Sequence, residues 1–141
     1  MSQSLTLATA QTIIAGAIAC RIEKKLPSMG FVVIDASGDL VTFAREDGAS
    51  MFRFNIAQAK AWGAVGFGIS SRALMERAKD NPNFFVSLAA TANGKFLPQT
   101  GAVLIKDSSG KLLGAVGASG GTGDEDELAC AAGVSAAGLT S

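Results

Sequence analysis

Apolar residues recur at three- and four-residue intervals in three parts of the chain, and this spacing is typical of amphipathic helices. It predicts long helices over residues 7–26, 50–65 and 124–137. Pro27 ends the first of them, because proline disfavours helical backbone in the residue that precedes it. Cap residues before short helix-forming segments predict two further helices, over residues 70–78 and 83–90.

Two other segments show the pattern of a β-hairpin, in which apolar and β-branched residues flank a turn. The first is FVVIDASGDLVTF, residues 31–43, and the second is AVLIKDSSGKLLGAV, residues 102–116. We interpret residues 95–97 as a short fifth strand. Because hairpins make antiparallel neighbours, the order of elements predicts an α/β fold of the α+β type, with one antiparallel sheet covered by helices.

Length and charge narrow the class of protein. The chain has 141 residues and no linker-like segment, which predicts a single domain over residues 1–141. Its 12 basic residues balance 12 acidic residues, so the net charge of zero gives no electrostatic basis for binding nucleic acid or an anionic membrane. We therefore expect neither as a partner.

The chain contains no histidine, which excludes a Ser-His-Asp or Cys-His catalytic arrangement and removes the commonest haem ligand. Cys20 and Cys130 are far apart in sequence and form no CxxC pair, so we expect no metal site. Residues 13–20 are apolar, but no Lys or Arg precedes them. The missing positive segment argues against a signal peptide and predicts a cytoplasmic protein with reduced thiols.

A glycine-rich loop before the last helix is the first candidate site. Backbone N–H groups in such a loop can bind an anion at a helix N-terminus. Thr122 and Glu125 also match a capping box, and four acidic residues follow the loop, so a purely structural role is the main alternative. The candidate ligand-binding residues are Ser119, Gly120, Gly121, Thr122 and Gly123.

Charged residues in the middle of the chain are the second candidate site. Lys60 is the only charged residue in an otherwise apolar helical segment, so its side chain either reaches water or points into a polar cavity. Arg45 and Asp47 follow the second predicted strand. We consider Lys60, Asp47 and Glu127 as candidate catalytic residues and Arg45 as a ligand-binding residue. The structural alternative is an ion pair of Lys60 with Asp47 or Glu127.

Three segments, in this order, resemble the GlcG/HbpS family, which includes the C-terminal domain of PduO proteins. They are VVIDASGDLVTFAREDGA (32–49), IAQAKAWGAVGFG (56–68) and LLGAVGASGGTGDEDELACAAG (112–133). Together with the first helix, the resemblance covers nearly the whole chain. One segment, FLPQTGAVLI (96–105), lacks the Pro-Gly-Gly-like turn that the family usually has before its third strand, where the resemblance implies a wall of the ligand pocket.

The resemblance implies a profilin- or roadblock-like fold with a five-stranded antiparallel sheet. It also implies homo-oligomers, from dimers to octamers, and haem as the first candidate ligand. Without histidine, the remaining axial ligands would be Cys20, Cys130, a methionine such as Met51, or an oxygen such as that of Thr122. Haem bound tightly through histidine is excluded, whereas weak binding at a surface or an interface is compatible with the sequence.

Three functions are therefore open. The first is a domain that binds haem or a related small molecule, accessory to a catabolic pathway. The second is a cofactor-independent enzyme, an isomerase, lyase or hydrolase acting on a small carbonyl or carboxylate substrate. Arg45 would hold the substrate's carboxylate, and Lys60 or Asp47 would move a proton. The third is a structural partner protein without either activity.

Oligomerisation is expected on physical grounds as well. Apolar residues make up 48% of the chain, and the helix over residues 50–65 is apolar on most sides. A small domain of this kind has more apolar surface than it can bury alone, which predicts a dimer or a larger homo-oligomer.

Overall fold

The computed structural model describes residues 4–141, and this part of the chain folds into five helices and four strands. The elements are, in order, α1 (Leu7–Glu23), β1 (Gly30–Asp35), β2 (Leu40–Arg45), α2 (Arg53–Phe67), α3 (Ser71–Asp80), α4 (Pro82–Thr91), β3 (Ala102–Lys106), β4 (Leu112–Ser119) and α5 (Gly123–Ala136). Among these residues, no helix has the length and apolar character needed to cross a membrane.

The four strands form one antiparallel sheet in the order β2-β1-β4-β3. Side chains alternate across a strand, and β1 shows the consequence. Phe31 and Val33 belong to the core that the sheet shares with α1 and α5, whereas Val32 and Ile34 pack with α2 on the opposite face. The sheet is therefore antiparallel and covered by helices, as the order of elements predicted, and the helices lie on both of its faces.

The predicted fifth strand is wrong. Residues 95–97 form no strand; they cross the outer side of α2, where the Leu97 N–H donates to the Ala59 carbonyl at 3.4 Å. Phe96 is buried there with Leu74 and Phe85 in a small separate core, which also includes the half-buried Trp62. The segment is apolar because it covers a helix, not because it extends the sheet.

The first helix is shorter than predicted. It ends at Glu23, and Lys25 adopts a left-handed backbone with φ of 57° before Pro27 is reached. The last helix begins at Gly123, where the Thr122 side chain accepts a hydrogen bond from the Glu125 N–H and the Glu125 side chain accepts one from the Thr122 N–H. The predicted capping box is therefore confirmed.

Candidate functional site

A cleft of about 440 Å³ opens where the end of β4, the glycine-rich loop and the first turn of α5 meet α2 and α3. Most of its lining is charged or polar, and α2, α3 and the segment before β3 each add an apolar side chain. The lining residues are Arg53, Ile56, Lys60, Met75, Leu97, Gln99, Thr100, Ser119, Gly121, Thr122, Gly123, Asp124 and Asp126.

A buried ion pair lies in the floor of this cleft. The Lys60 Nζ is 3.1 Å from the Asp126 Oδ2 and donates to the Ala118 carbonyl at 3.1 Å. The other Asp126 oxygen, Oδ1, accepts from the Gly121 N–H at 2.9 Å. Only 5% of Lys60 and 1% of Asp126 are exposed, so each charge depends on the other for compensation.

The space for this ion pair depends on a glycine. Gly101 has a φ of 138°, and a Cβ placed on it would lie 2.6 Å from the Lys60 Nζ and 3.1 Å from the Asp126 Cβ. Both the backbone conformation and the close approach exclude larger residues. The backbone just before β3 is therefore shaped around the two charges.

Arg53 adds a second positive charge to the cleft. Its Nη1 donates to the Ser119 hydroxyl at 2.8 Å, and it forms no ion pair within residues 4–141. Arg53 and Lys60 lie seven residues apart, about two helical turns, and so project from the same side of α2. Asp126 therefore interacts with two cations, with Lys60 in direct contact and with Arg53 through a longer-range charge interaction.

Burial changes the proton affinity of two groups around the cleft. It raises the pKa of the Asp126 carboxyl above its ordinary value, and the neighbouring Lys60 ammonium and Gly121 N–H offset only part of that rise. Burial also raises the pKa of the Cys130 thiol, which lies behind the cleft and contacts the Gly101 carbonyl at 3.6 Å. Cys130 is therefore a protonated core residue and not a reactive thiolate.

A family model described as "Haem degrading protein HbpS-like" matches residues 5–135. The chain belongs to this family. Its fold is similar to three solved structures, and a search of curated proteins found no match.

The three structures share the whole HbpS-like fold with this chain. HbpS has 24% sequence identity and a TM-score of 0.81, with 96% of this chain and 91% of that one covered. A complex of PduOC with haem has 21% identity and a TM-score of 0.84, with 97% of each chain covered. The Klebsiella pneumoniae protein ORFY has 24% identity and a TM-score of 0.86, with 98% of this chain and 93% of that one covered.

The HbpS-like chain brings together only some of the residues singled out from the sequence. Lys60 does point into a polar cavity, with four of the five predicted loop residues around it: Ser119, Gly121, Thr122 and Gly123 all line the cleft. Gly120 does not. Its φ is 152°, and a Cβ there would lie 2.3 Å from the Ser28 carbonyl oxygen, so it serves close backbone packing.

Arg45, Asp47 and Glu127 lie outside the cleft. Arg45 is exposed and donates to the Ala49 carbonyl at 2.7 Å, and Asp47 is exposed in the turn after β2. Glu127 faces the other side of α5 and accepts from Arg72 at 3.1 Å. The prediction that Lys60 pairs with Asp47 or Glu127 is therefore wrong, because Lys60 forms its ion pair with Asp126.

The N–H groups of the glycine-rich loop are partly engaged within the protein. Gly121 donates to Asp126 and Thr122 donates to Glu125, so two of the groups expected to bind an anion already bind carboxylates of α5. The positive groups of the cleft come instead from α2, through Arg53 and Lys60.

Arg53, Gln99, Thr100 and Asp126 are lining residues that the sequence interpretation missed. Arg53 could have been found, because its spacing of seven residues from Lys60 predicts a shared helix face. Gln99 and Thr100 lie within FLPQTGAVLI, the segment in which the resemblance implied a pocket wall, and they do line the cleft. Within residues 4–141, no cluster of three potential metal ligands of the His, Cys, Asp or Glu type occurs.

Proposed function

We propose that this protein binds a small ligand with a carboxylate group in the cleft, and that haem is the first candidate. The observation that carries the proposal is the Arg53 guanidinium, which faces the cleft beside Lys60 with no carboxylate of its own. A planar guanidinium suits a carboxylate, which it can bind through two parallel hydrogen bonds. Membership of the HbpS-like family and the similarity to the PduOC–haem complex support haem as the ligand to test first.

The cleft fits the carboxylates of haem better than its iron. A propionate group would pair with Arg53, and Ile56, Met75 and Leu97 offer apolar contact for the macrocycle. Of the four iron ligands considered from the sequence, only Thr122 lines the cleft. Among residues 4–141, the Met75 thioether is the only sulfur group in the cleft lining. We therefore propose that haem is held mainly through its propionates, without a strong axial ligand.

Titration of the purified protein with hemin tests this proposal. We expect a saturable change in the Soret band, and we expect Arg53→Gln to weaken binding at least about tenfold through the lost charge-assisted pair. Arg45→Gln is the matched control, since it removes the same charge from an exposed position outside the cleft, and its affinity should equal that of the wild type.

Each alternative result has a distinct meaning. No saturable Soret change removes haem as the ligand. Hemin binding that is unaffected by Arg53→Gln removes the cleft as its site. Loss of binding in Arg45→Gln, with Arg53→Gln unaffected, would place the site at the end of β2 instead.

The second candidate function is a cofactor-independent enzyme, and the buried Lys60–Asp126 pair is the observation that favours it. A carboxylate whose pKa is raised by burial is a stronger base than an exposed one. Asp126 would take a proton from a carbon next to a carbonyl group. The Lys60 ammonium would then donate a hydrogen bond to the enolate oxygen that forms. Asp47 has no part in this arrangement.

Proton exchange tests the enzymatic candidate directly. The protein is incubated with pyruvate in D₂O, and loss of the methyl proton signal is followed by NMR. Enzymatic activity predicts exchange above the buffer rate, and its loss in the double variant Lys60→Met/Asp126→Asn. Exchange at the buffer rate rejects this candidate for pyruvate-like substrates. A protein that binds neither hemin nor a small carboxylate, and exchanges no protons, is left with the structural role.

A further inference from the structure

We infer that the cleft selects small carboxylates that carry a second acceptor oxygen on the adjacent carbon, namely 2-oxo or 2-hydroxy acids. The inference rests on the proposed function, because it takes the cleft as the binding site. It goes further in naming the chemical class of the ligand, and it depends on Lys60 as a second recognition group beside Arg53.

Lys60 and Arg53 both have hydrogen-bond donors that no group within residues 4–141 uses. A lysine ammonium has three N–H donors, and Lys60 uses two of them within residues 4–141, on the Ala118 carbonyl and on Asp126. The Lys60 side chain is more than nine-tenths buried and lines the cleft. A further acceptor for its third N–H must therefore lie in the cleft. Arg53 has five N–H donors, of which one binds Ser119.

The side chains of Arg53 and Lys60 converge on the end of β4. Arg53 binds the side chain of Ser119, and Lys60 binds the carbonyl of Ala118, the residue before it in β4. The two cationic side chains therefore bind neighbouring residues of β4, although their backbone positions in α2 are two turns apart. This convergence suits a short molecule with two acceptors close together better than a long one with a single carboxylate.

The two acidic residues that line the cleft are both engaged in ion pairs. Asp126 is paired with Lys60, and Asp124 binds Arg72 at the rim. Both carboxylates already have a cationic partner in direct contact, whereas the partner of Arg53 is a neutral hydroxyl group. The cleft thus favours an anion with one carboxylate, with Arg53 binding the carboxylate and Lys60 the oxygen on the next carbon.

A matched series of three acids tests the inference on the wild-type protein. Propionate, lactate and pyruvate have the same carbon chain and differ at carbon 2, which bears hydrogen, a hydroxyl group or a carbonyl group. By isothermal titration calorimetry, we expect lactate and pyruvate to bind at least about tenfold more tightly than propionate, since only they reach Lys60. Equal affinity for all three acids would overturn the inference.

Two variants separate the two recognition groups. Arg53→Gln should weaken all three acids alike, whereas Arg77→Gln, on the exposed face of α3, should leave all three unchanged. The double variant Lys60→Met/Asp126→Asn removes the donor and its counter-charge together, so the net charge of the cleft is kept. It should lower the affinities for lactate and pyruvate to that for propionate. A persistent preference in this folded variant would reject the role of Lys60.

The outcomes distinguish this inference from the proposed function. Hemin binding that depends on Arg53, with no preference among the three acids, leaves the proposed function in place and removes the inference. Preference among the acids without hemin binding keeps the inference and removes haem. If neither hemin nor any of the acids binds, both are rejected.

Discussion

At the scale of single residues, the cleft depends on the absence of a side chain at Gly101. Gly101→Ala would place a methyl group against the Lys60 ammonium on a backbone with φ of 138°. We expect the free energy of unfolding to fall by about 2–4 kcal/mol, from overpacking and backbone strain together. Urea denaturation followed by circular dichroism measures this change.

Gly66→Ala is the matched control for Gly101→Ala. Gly66 lies inside α2, and a Cβ there would meet nothing within 4 Å. Because alanine is the better helix former, we expect this variant to gain up to about 1 kcal/mol of stability. A similar loss in both variants would show that glycine replacement in general, and not the space beside Lys60, causes the effect.

Asp126 should make stability depend on pH in the direction opposite to that of a carboxylate whose pKa is lowered by folding. Its pKa is raised in the folded protein, so the folded state binds the proton more tightly than the unfolded state. This contribution to stability is present below the unfolded pKa and is lost as the pH rises through the folded pKa. We expect wild type to gain stability relative to Asp126→Asn as the pH falls from about 7 to 4.

Paired urea titrations of wild type and Asp126→Asn across this pH range test the sign. Both proteins keep Lys60, and an asparagine can still accept from the Gly121 N–H, so the comparison isolates the ionisation of residue 126. A difference that shrinks towards low pH would mean that the ion pair with Lys60 outweighs burial at this carboxyl.

The sequence leaves two positions open for the Lys60 side chain, water or a polar cavity, and it does not identify the lysine's partner. A lone charge in an apolar helix has few alternatives, and it does enter a polar cavity. The choice among the carboxylates of residues 124–127 depends on the rotation of α5 about its axis. Asp126 faces inward and Glu127 faces Arg72, a difference of one residue that the acidic pattern alone does not determine.

At the scale of elements, Thr122 should stabilise the start of α5 irrespective of any ligand. Its hydroxyl accepts from the Glu125 N–H as one half of a capping box. Thr122→Ala should lower the free energy of unfolding by about 1 kcal/mol, and Thr122→Ser should restore most of it. If thermal unfolding shows no loss for the alanine variant, the cap is not a stabilising contact in solution.

Replacing Ser71 should lower stability more than replacing Thr122. The Ser71 hydroxyl forms hydrogen bonds with the edge strand β3 that a neighbouring strand would otherwise form. It accepts from the Ala102 N–H at 2.8 Å and donates to the Ala102 carbonyl at 3.2 Å, at the outer edge of β3. Ser71→Ala leaves both buried backbone groups without this partner, and we expect a loss of about 2–4 kcal/mol in urea denaturation. Ser135→Ala, at an exposed position in α5, should change stability by less than about 0.5 kcal/mol.

Elements with local signals are the ones that the sequence predicts well. Both hairpins carry their turn residues between the two strands, and both form as predicted. Residues 95–97 lack such a signal, and their burial comes from Phe96 packing beside Gly63 of α2. A contact of this kind depends on the position of α2 in the folded chain, so the pattern alone resembles that of a strand.

At the scale of the whole molecule, the structure changes the argument for oligomerisation. The apolar sides of α2 are largely buried within one chain. The sheet covers one side, and the small core formed with α3 and α4 covers the other. The unburied apolar surface lies elsewhere. Leu40 and Phe43 of the edge strand β2 are 46% exposed, and Met51 and Phe52 before α2 are 77% and 55% exposed.

We therefore predict a homodimer formed by antiparallel pairing of β2 with β2 of a second copy. The outer edge of β2 has no neighbouring strand within residues 4–141. A twofold axis at Thr42 would place Arg45 of each copy opposite Asp39 of the other, so the pairing is also complementary in charge. We expect light scattering at micromolar concentration to give twice the mass of one chain, which is 14.2 kDa.

Phe43→Glu tests the position of this interface. A charge placed among the side chains of two paired edge strands destabilises their pairing. The Phe43→Glu variant should therefore be monomeric and keep the circular dichroism spectrum of the wild type. Val86→Glu makes the same kind of change at a 72% exposed residue of α4 and should stay dimeric. A monomeric wild type would contradict dimerisation, whereas a dimeric Phe43→Glu variant would place the contact on another surface, because the free edge of β2 would then not be needed for assembly.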